Sequence, residues 1–192
     1  GFLGTPLLSE VLDATGEIDL MYKLLFNETY PSWFYSINQG ASTIWERWNS
    51  YSKKDGFNPQ NMNSLNHYAY GAIGEWMYER IAGIAPLEAG YKKIRIAPVA
   101  KDPLTSASAT LNTPYGEVAS SWKIENGEFL LETRIPANTT AVVTIPMNSN
   151  SDLLVNNKKA DDVSGVLSVK NTESTIELEV VSGDYNFRID NK

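Results

Sequence analysis

Glu46 lies in the run Gly40-Ala41-Ser42-Thr43-Ile44-Trp45-Glu46-Arg47-Trp48-Asn49, one carboxylate set between two indoles just after a glycine. Flat aromatic faces cover the apolar C–H side of a pyranose ring, and a carboxylate beside them can move protons or hold hydroxyls. The pattern suits work on a carbohydrate. The same Glu could instead pair with Arg47 or with a buried backbone group. Further along, Met62-Asn63-Ser64-Leu65-Asn66-His67-Tyr68 holds the only histidine of the chain. With no cysteine and no paired acids at ligand spacing beside it, His67 makes no metal site; near a helix start it reads as a structural hydrogen-bonding residue more readily than as a catalyst. Glycoside hydrolysis needs two carboxyl groups, set roughly 6.5 to 9.5 Å apart when the reaction inverts configuration. Asp13, Asp19, Glu75 and Glu79 fall at helical positions better explained as solvated faces or caps, so no second acid stands out. Trp33 and Trp76 sit on apolar stripes and read as core, whereas Trp45 and Trp48 could be either core or sugar platforms.

The rest of the chain narrows the partners. Its 192 residues carry a net charge of −7 with Lys and Arg scattered, which disfavours nucleic acid, whose phosphates demand concentrated positive charge. Hydrophobic residues make up 42% and charged ones 20%, a globular composition. There are no cysteines, hence no disulfides and no thiolate chemistry. No apolar run approaches the ~18 to 20 residues that span a bilayer, so no membrane partner is expected. The compartment stays open. The sequence starts at Gly1 without a basic, then apolar leader and reads as though begun within a domain; the expectation is the C-terminal piece of a longer protein.

Several elements could position these residues. Thr5-Pro6 suggests an N-cap and first turn, with Leu7, Leu8, Val11 and Leu12 at helical spacing before Gly16. A second helix spans Glu17 to Phe26, and a third opens at Tyr30-Pro31-Ser32-Trp33 and ends near Gly40. Residues 41–49 read as extended, which would set Glu46 and Trp48 on one face, and 50–61 as a surface loop. The strongest helical stripe begins near Asn63 or Ser64 and runs through Leu65, Tyr68, Ala72, Trp76 and Ile81 to a stop at Gly83. It would hold His67 in its first turn, with Gly71 and Gly74 allowing close approach of another helix. From Lys92 onward the period changes to short alternating runs separated by turns, the sharpest being Glu125-Asn126-Gly127-Glu128. The fold class is α+β in two parts: helical hairpins over 1–88, then an antiparallel β-sandwich over 89–192.

Gly1-Phe2-Leu3-Gly4-Thr5-Pro6, Tyr30-Pro31-Ser32-Trp33, the Gly40 to Trp48 run, Met62 to Ala69, Gly90 to Pro98 and Thr113-Pro114-Tyr115-Gly116 follow one another in an order that resembles the bacterial α-L-rhamnosidases, a family of inverting glycoside hydrolases. The resemblance implies that the helical part is the end of an (α/α)6 catalytic barrel and the remainder a C-terminal β-sandwich domain. It further implies that Glu46 is the general base, that His67 contacts rhamnose hydroxyls, and that Trp45 and Trp48 line the same pocket. The family's general acid lies in a motif nearer the N-terminus, outside this sequence, so the chain alone is expected to be inactive. No metal or cofactor is implied. The substrate would be a rhamnose-containing glycoside, and the missing N-terminal part of the same protein would be a partner. Without it, the stripe Leu7-Leu8-Val11-Leu12 would promote self-association. The rival reading is a non-catalytic carbohydrate-binding or structural β-sandwich with a helical attachment.

Overall fold

The computed structural model describes residues 2–147 and 151–190, so Gly1 of the opening motif lies outside the described residues. The chain forms two compact units, Gly1–Trp76 and Met77–Lys192.

In the first unit, α1 (Thr5–Ala14) starts one residue earlier than a Thr5 cap would allow: Gly4 is the N-cap, and the N-cap supplies no side-chain hydrogen bond. Proline fits the first turn regardless, because its missing N–H would have found no partner there. No residue of α1 is buried, and Leu7, Leu8 and Val11 are 59%, 37% and 56% exposed. Helix α2 (Ile18–Phe26) buries Met21, Tyr22 and Leu25, and the Tyr22 ring meets the Trp76 indole edge-on at 5.5 Å. The Trp76 Nε1–H in turn donates to Asp13 at 3.3 Å. Helix α3 (Trp33–Asn38) is capped by Ser32, whose Oγ accepts the Tyr35 N–H at 2.9 Å. A two-residue hairpin, β1 (Tyr51–Ser52) with β2 (Gly56–Phe57), interrupts the stretch expected to be loop.

The long helix expected from Asn63 does not form. Residues 63–67 are irregular, and the helical stripe breaks into a 3₁₀ turn (Ala69–Ala72), one turn of α4 (Ile73–Trp76) and a π turn (Met77–Ile81). Gly71 and Gly74 each weaken a helix by roughly 1 kcal/mol relative to alanine. The Trp33 indole also claims the Tyr70 carbonyl, at 2.9 Å. Neither glycine marks a tight helix contact: a Cβ at Gly71 would touch Ile44 at an ordinary 3.8 Å, and one at Gly74 would meet nothing within 4 Å.

The second unit is a β-sandwich built on two long bent strands, β7 (Glu128–Pro146) and β10 (Thr175–Asp190). Their outer halves pair over Phe129–Ile135 and Gly183–Ile189, flanked by β6 (Gly116–Glu125), β5 (Ser106–Thr113) and β8 (Asp152–Val155). Their other halves pair over Thr140–Pro146 and Thr175–Val181, flanked by β9 (Val166–Asn171), β4 (Lys93–Ile96) and β3 (Ile84–Pro86). Each of the two long strands passes between layers partway along: Asn138 has φ +62°, and the β10 register shifts between Val181 and Gly183. The sandwich is mostly antiparallel, but β4 lies parallel to β7. Burial alternates along β4, β5 and each half of β7, though not along β8 or β9, and Ile94, Ile96, Val118, Trp122, Leu131 and Phe187 are among the residues of one continuous buried core. The Asn126-Gly127 turn forms as read, both residues at positive φ between the paired Glu125 and Glu128. β6 also holds the end of the π turn, with Trp122 Nε1–H donating to Ile81 O at 2.7 Å and Ser120 Oγ–H to Ala82 O at 2.6 Å.

Candidate active site

The two chemistry-bearing segments of the first unit run side by side. Glu46 N–H donates to Ser64 O at 2.9 Å and His67 N–H to Ile44 O at 2.8 Å, an antiparallel tie that sets the Glu46 segment against the His67 segment. One oxygen of the Glu46 carboxylate accepts the Ser64 N–H at 3.1 Å. A charged acceptor on a backbone donor is a strong hydrogen bond, and it fixes the carboxylate while leaving acceptor capacity open. Arg47 is committed elsewhere: its guanidinium donates to Asn61 O at 3.1 Å and Gln60 Oε1 at 2.7 Å, pinning the following loop. Of the structural alternatives open for Glu46, neither Arg47 nor a buried backbone group is its partner; the exposed Ser64 N–H is.

Glu46 lines a hollow of about 400 Å³ with Arg47, Trp48, Phe2, Tyr30 and Tyr70 among its walls. The chain turns after Trp45 instead of staying extended, which is why four successive residues, Glu46 to Asn49, reach one hollow. Trp48 lies flat on Tyr70, centroids 3.9 Å apart and 13° between planes, and stands edge-on to Trp33 at 4.7 Å. Trp48 and Tyr70 form a wall shared with a second, mostly apolar hollow of about 290 Å³. Trp45, only 5% exposed, lines that second hollow and meets the Tyr51 ring edge-on; it does not line the hollow of Glu46. Burial pushes the Tyr70 phenol above its usual pKa, with Tyr30 adding to the rise and Arg47 opposing it.

His67 precedes the helical turns. Its Nδ1 accepts the Ala69 N–H at 3.3 Å, at the start of the 3₁₀ turn, which orients the ring. Phe2 packs edge-on against the imidazole at 5.0 Å and also lines the hollow of Glu46, so a single ring joins the two segments. Among the described residues lining this hollow, Glu46 is the one carboxylate. Sequence reasoning missed Phe2, Tyr30 and Tyr70; all three fall inside or beside the quoted motifs, but nothing in their spacing shows that they converge. No group of acids, cysteines and histidines suited to a metal occurs among the described residues.

Residues 1–81 match the model of the bacterial alpha-L-rhamnosidase 6 hairpin glycosidase domain. Residues 83–161 match the model of the bacterial alpha-L-rhamnosidase C-terminal domain. Together with the helical unit and the β-sandwich, these matches place the chain among the glycosidases built on helical hairpins. It belongs to the bacterial α-L-rhamnosidase family. An alpha-L-rhamnosidase of Formosa agariphila is 69% identical over 188 residues, covering 98% of this chain and 20% of the relative. One of Alteromonas sp. is 53% identical over 146 residues, 76% of this chain and 16% of the relative. The solved structure of the Streptomyces avermitilis alpha-L-rhamnosidase complexed with L-rhamnose aligns with TM-score 0.87 at 42% identity, over 99% of this chain and 18% of that one. The chain thus spans about a fifth of the length of the curated relatives it matches.

Proposed function

We propose that this chain supplies the water-activating side of an α-L-rhamnosidase active site and works within a longer polypeptide that brings the proton-donating acid. The observation that carries the reading is Glu46, tethered by the Ser64 N–H at 3.1 Å and opening on a hollow walled by Trp48 and Tyr70. In single displacement, an ionised Glu46 takes a proton from a water as that water attacks the anomeric carbon and a separate acid protonates the departing oxygen. His67, held at Nδ1 by the Ala69 N–H, has Nε2 left to meet a sugar hydroxyl, from outside the lining of the Glu46 hollow. Trp48 is the indole placed to line the sugar; Trp45 lines the neighbouring hollow instead. That the hollow holds one carboxylate among the described residues supports inactivity of the chain by itself.

The test is Glu46→Gln in the enzyme containing this sequence, with an aryl α-L-rhamnoside as substrate. Glutamine keeps the acceptor for Ser64 and removes the base, so kcat should fall by about 10² to 10⁴ with L-rhamnose affinity changed less than threefold. Unchanged kcat would overturn the role.

A further inference from the structure

The outer face of the sandwich forms a second candidate site, distant in chemistry from Glu46. Strands β5, β6, β7 and β10 present two outward rows fixed by register: Ser108, Ser121, Glu132, Asn186 and, two residues along each strand, Ser106, Lys123, Leu130, Arg188. Their inward neighbours Trp122, Leu131 and Phe187 are in the core, which holds the rows in place. Because the serines are short while Lys123 and Arg188 are long, the face is hollowed into an open trough of about 650 Å³. Four strands at about 4.8 Å spacing make it roughly 14 Å across, the reach of a short oligosaccharide.

The inventory is specific. Three hydroxyls and the amides of Asn157 and Asn186 can both donate and accept, as sugar hydroxyls do. Leu130 gives an apolar patch at the centre of one row, for the C–H side of a ring. Lys123 and Arg188 stand on either side of it, two strands apart. Arg188 takes part in none of the described ion pairs. Lys123 meets Glu125 at 2.6 Å, but both side chains are 54% exposed, and such a surface pair is worth little against a competing anion. The trough is braced at its edge, where Asn186 N–H donates to Asn156 Oδ1 and Asn156 N–H to Asn186 O, each at 2.8 Å. In a chain of net charge −7, the trough is lined by two cations, Lys123 and Arg188, and one carboxylate, Glu132 beside the serines and Asn186; the excess of positive charge at the Leu130 row calls for an anion carried on a polyol. Nucleic acid fits poorly, since no aromatic ring faces outward in either row to stack a base.

We propose that this trough binds a carboxylated oligosaccharide, with acid groups at Lys123 and Arg188 and hydroxyls on the serine and asparagine side. The experiment titrates the 192-residue chain with a galacturonic acid tetramer, its fully methyl-esterified form and a neutral glucose tetramer, by calorimetry and amide chemical-shift mapping. The tetra-acid should bind at least tenfold more tightly than either neutral oligomer, with shifts centred on β6, β7 and β10, and should weaken at 0.5 M salt. Lys123→Ala with Arg188→Ala should lower its affinity at least tenfold while leaving the thermal transition in place. Equal binding of the esterified form, shifts elsewhere, undiminished binding by the double variant, or no binding of the tetra-acid would each overturn the proposal.

Discussion

Replacing Trp48 by leucine tests the wall on which the Glu46 hollow depends. Leucine keeps apolar bulk but deletes the flat contact with Tyr70 at 3.9 Å and the edge contact with Trp33 at 4.7 Å. Aromatic pairs contribute about 0.5 to 1.5 kcal/mol each beyond area burial, so the two together account for about 2 kcal/mol. For a unit of this size, 1 kcal/mol moves the midpoint by about 4 to 8 °C, which predicts a fall of about 8 to 16 °C in the first unit's transition. Tryptophan fluorescence follows that unit well, since Trp122 is the only one of the five tryptophans outside it. A double-mutant cycle with Tyr70→Leu isolates the stacked pair and should return a coupling of about 1 kcal/mol. A coupling below about 0.3 kcal/mol, with a midpoint unchanged within 1 °C, would refute the reasoning.

Two further outcomes follow from the packing. Burial raises the Tyr22 phenol from 10 to about 12. Below pH 10 the phenol is protonated whether the chain is folded or unfolded; between 10 and about 12 the unfolded chain releases a proton that the folded one retains, so stability falls as pH rises. Denaturant melts across that window should show a shallower fall for Tyr22→Phe, and an identical slope would contradict the burial account. Gly83 stands at φ +86°, where a Cβ would lie 2.3 Å from Pro98 N and 2.6 Å from Ala97 C. Gly83→Ala should therefore cost more than about 3 kcal/mol in the sandwich, seen as a lowered midpoint by circular dichroism, because backbone atoms on both sides must move.

Much of this architecture was legible in the residues. Ser32 and the Pro and Gly signals marked α1 to α3, and short alternating runs marked the sandwich strands, because local capping and one-sided burial dictate both. The Asn126-Gly127 turn was legible for the same reason: its positive φ angles suit those two residues. What escaped depends on tertiary partners. The stripe after His67 has helical spacing, but the Trp33 indole on Tyr70 O and the β6 side chains on Ile81 O and Ala82 O decide how its turns wind. The bends of β7 and β10 look like strand ends, since a turn residue at Asn138 reads the same whether a strand stops or changes layer. The parallel pairing of β4 leaves no local trace. At the site, Glu46 and His67 were legible as types, whereas the turn that separates Trp45 from Trp48 and the convergence of Phe2, Tyr30 and Tyr70 arise from the fold.

The role of Glu46 is tested most directly by nucleophile rescue of Glu46→Ala in the enzyme containing this sequence. Azide needs no base; it can attack the anomeric carbon as the aryl group departs, forming the C–N bond as the C–O bond breaks. With an aryl α-L-rhamnoside the variant should be slow in buffer, accelerate with azide, and yield β-L-rhamnosyl azide, the inverted product, by proton NMR. Acceleration absent at saturating azide, or a product of retained configuration, would contradict the assignment of Glu46 as the water-activating base.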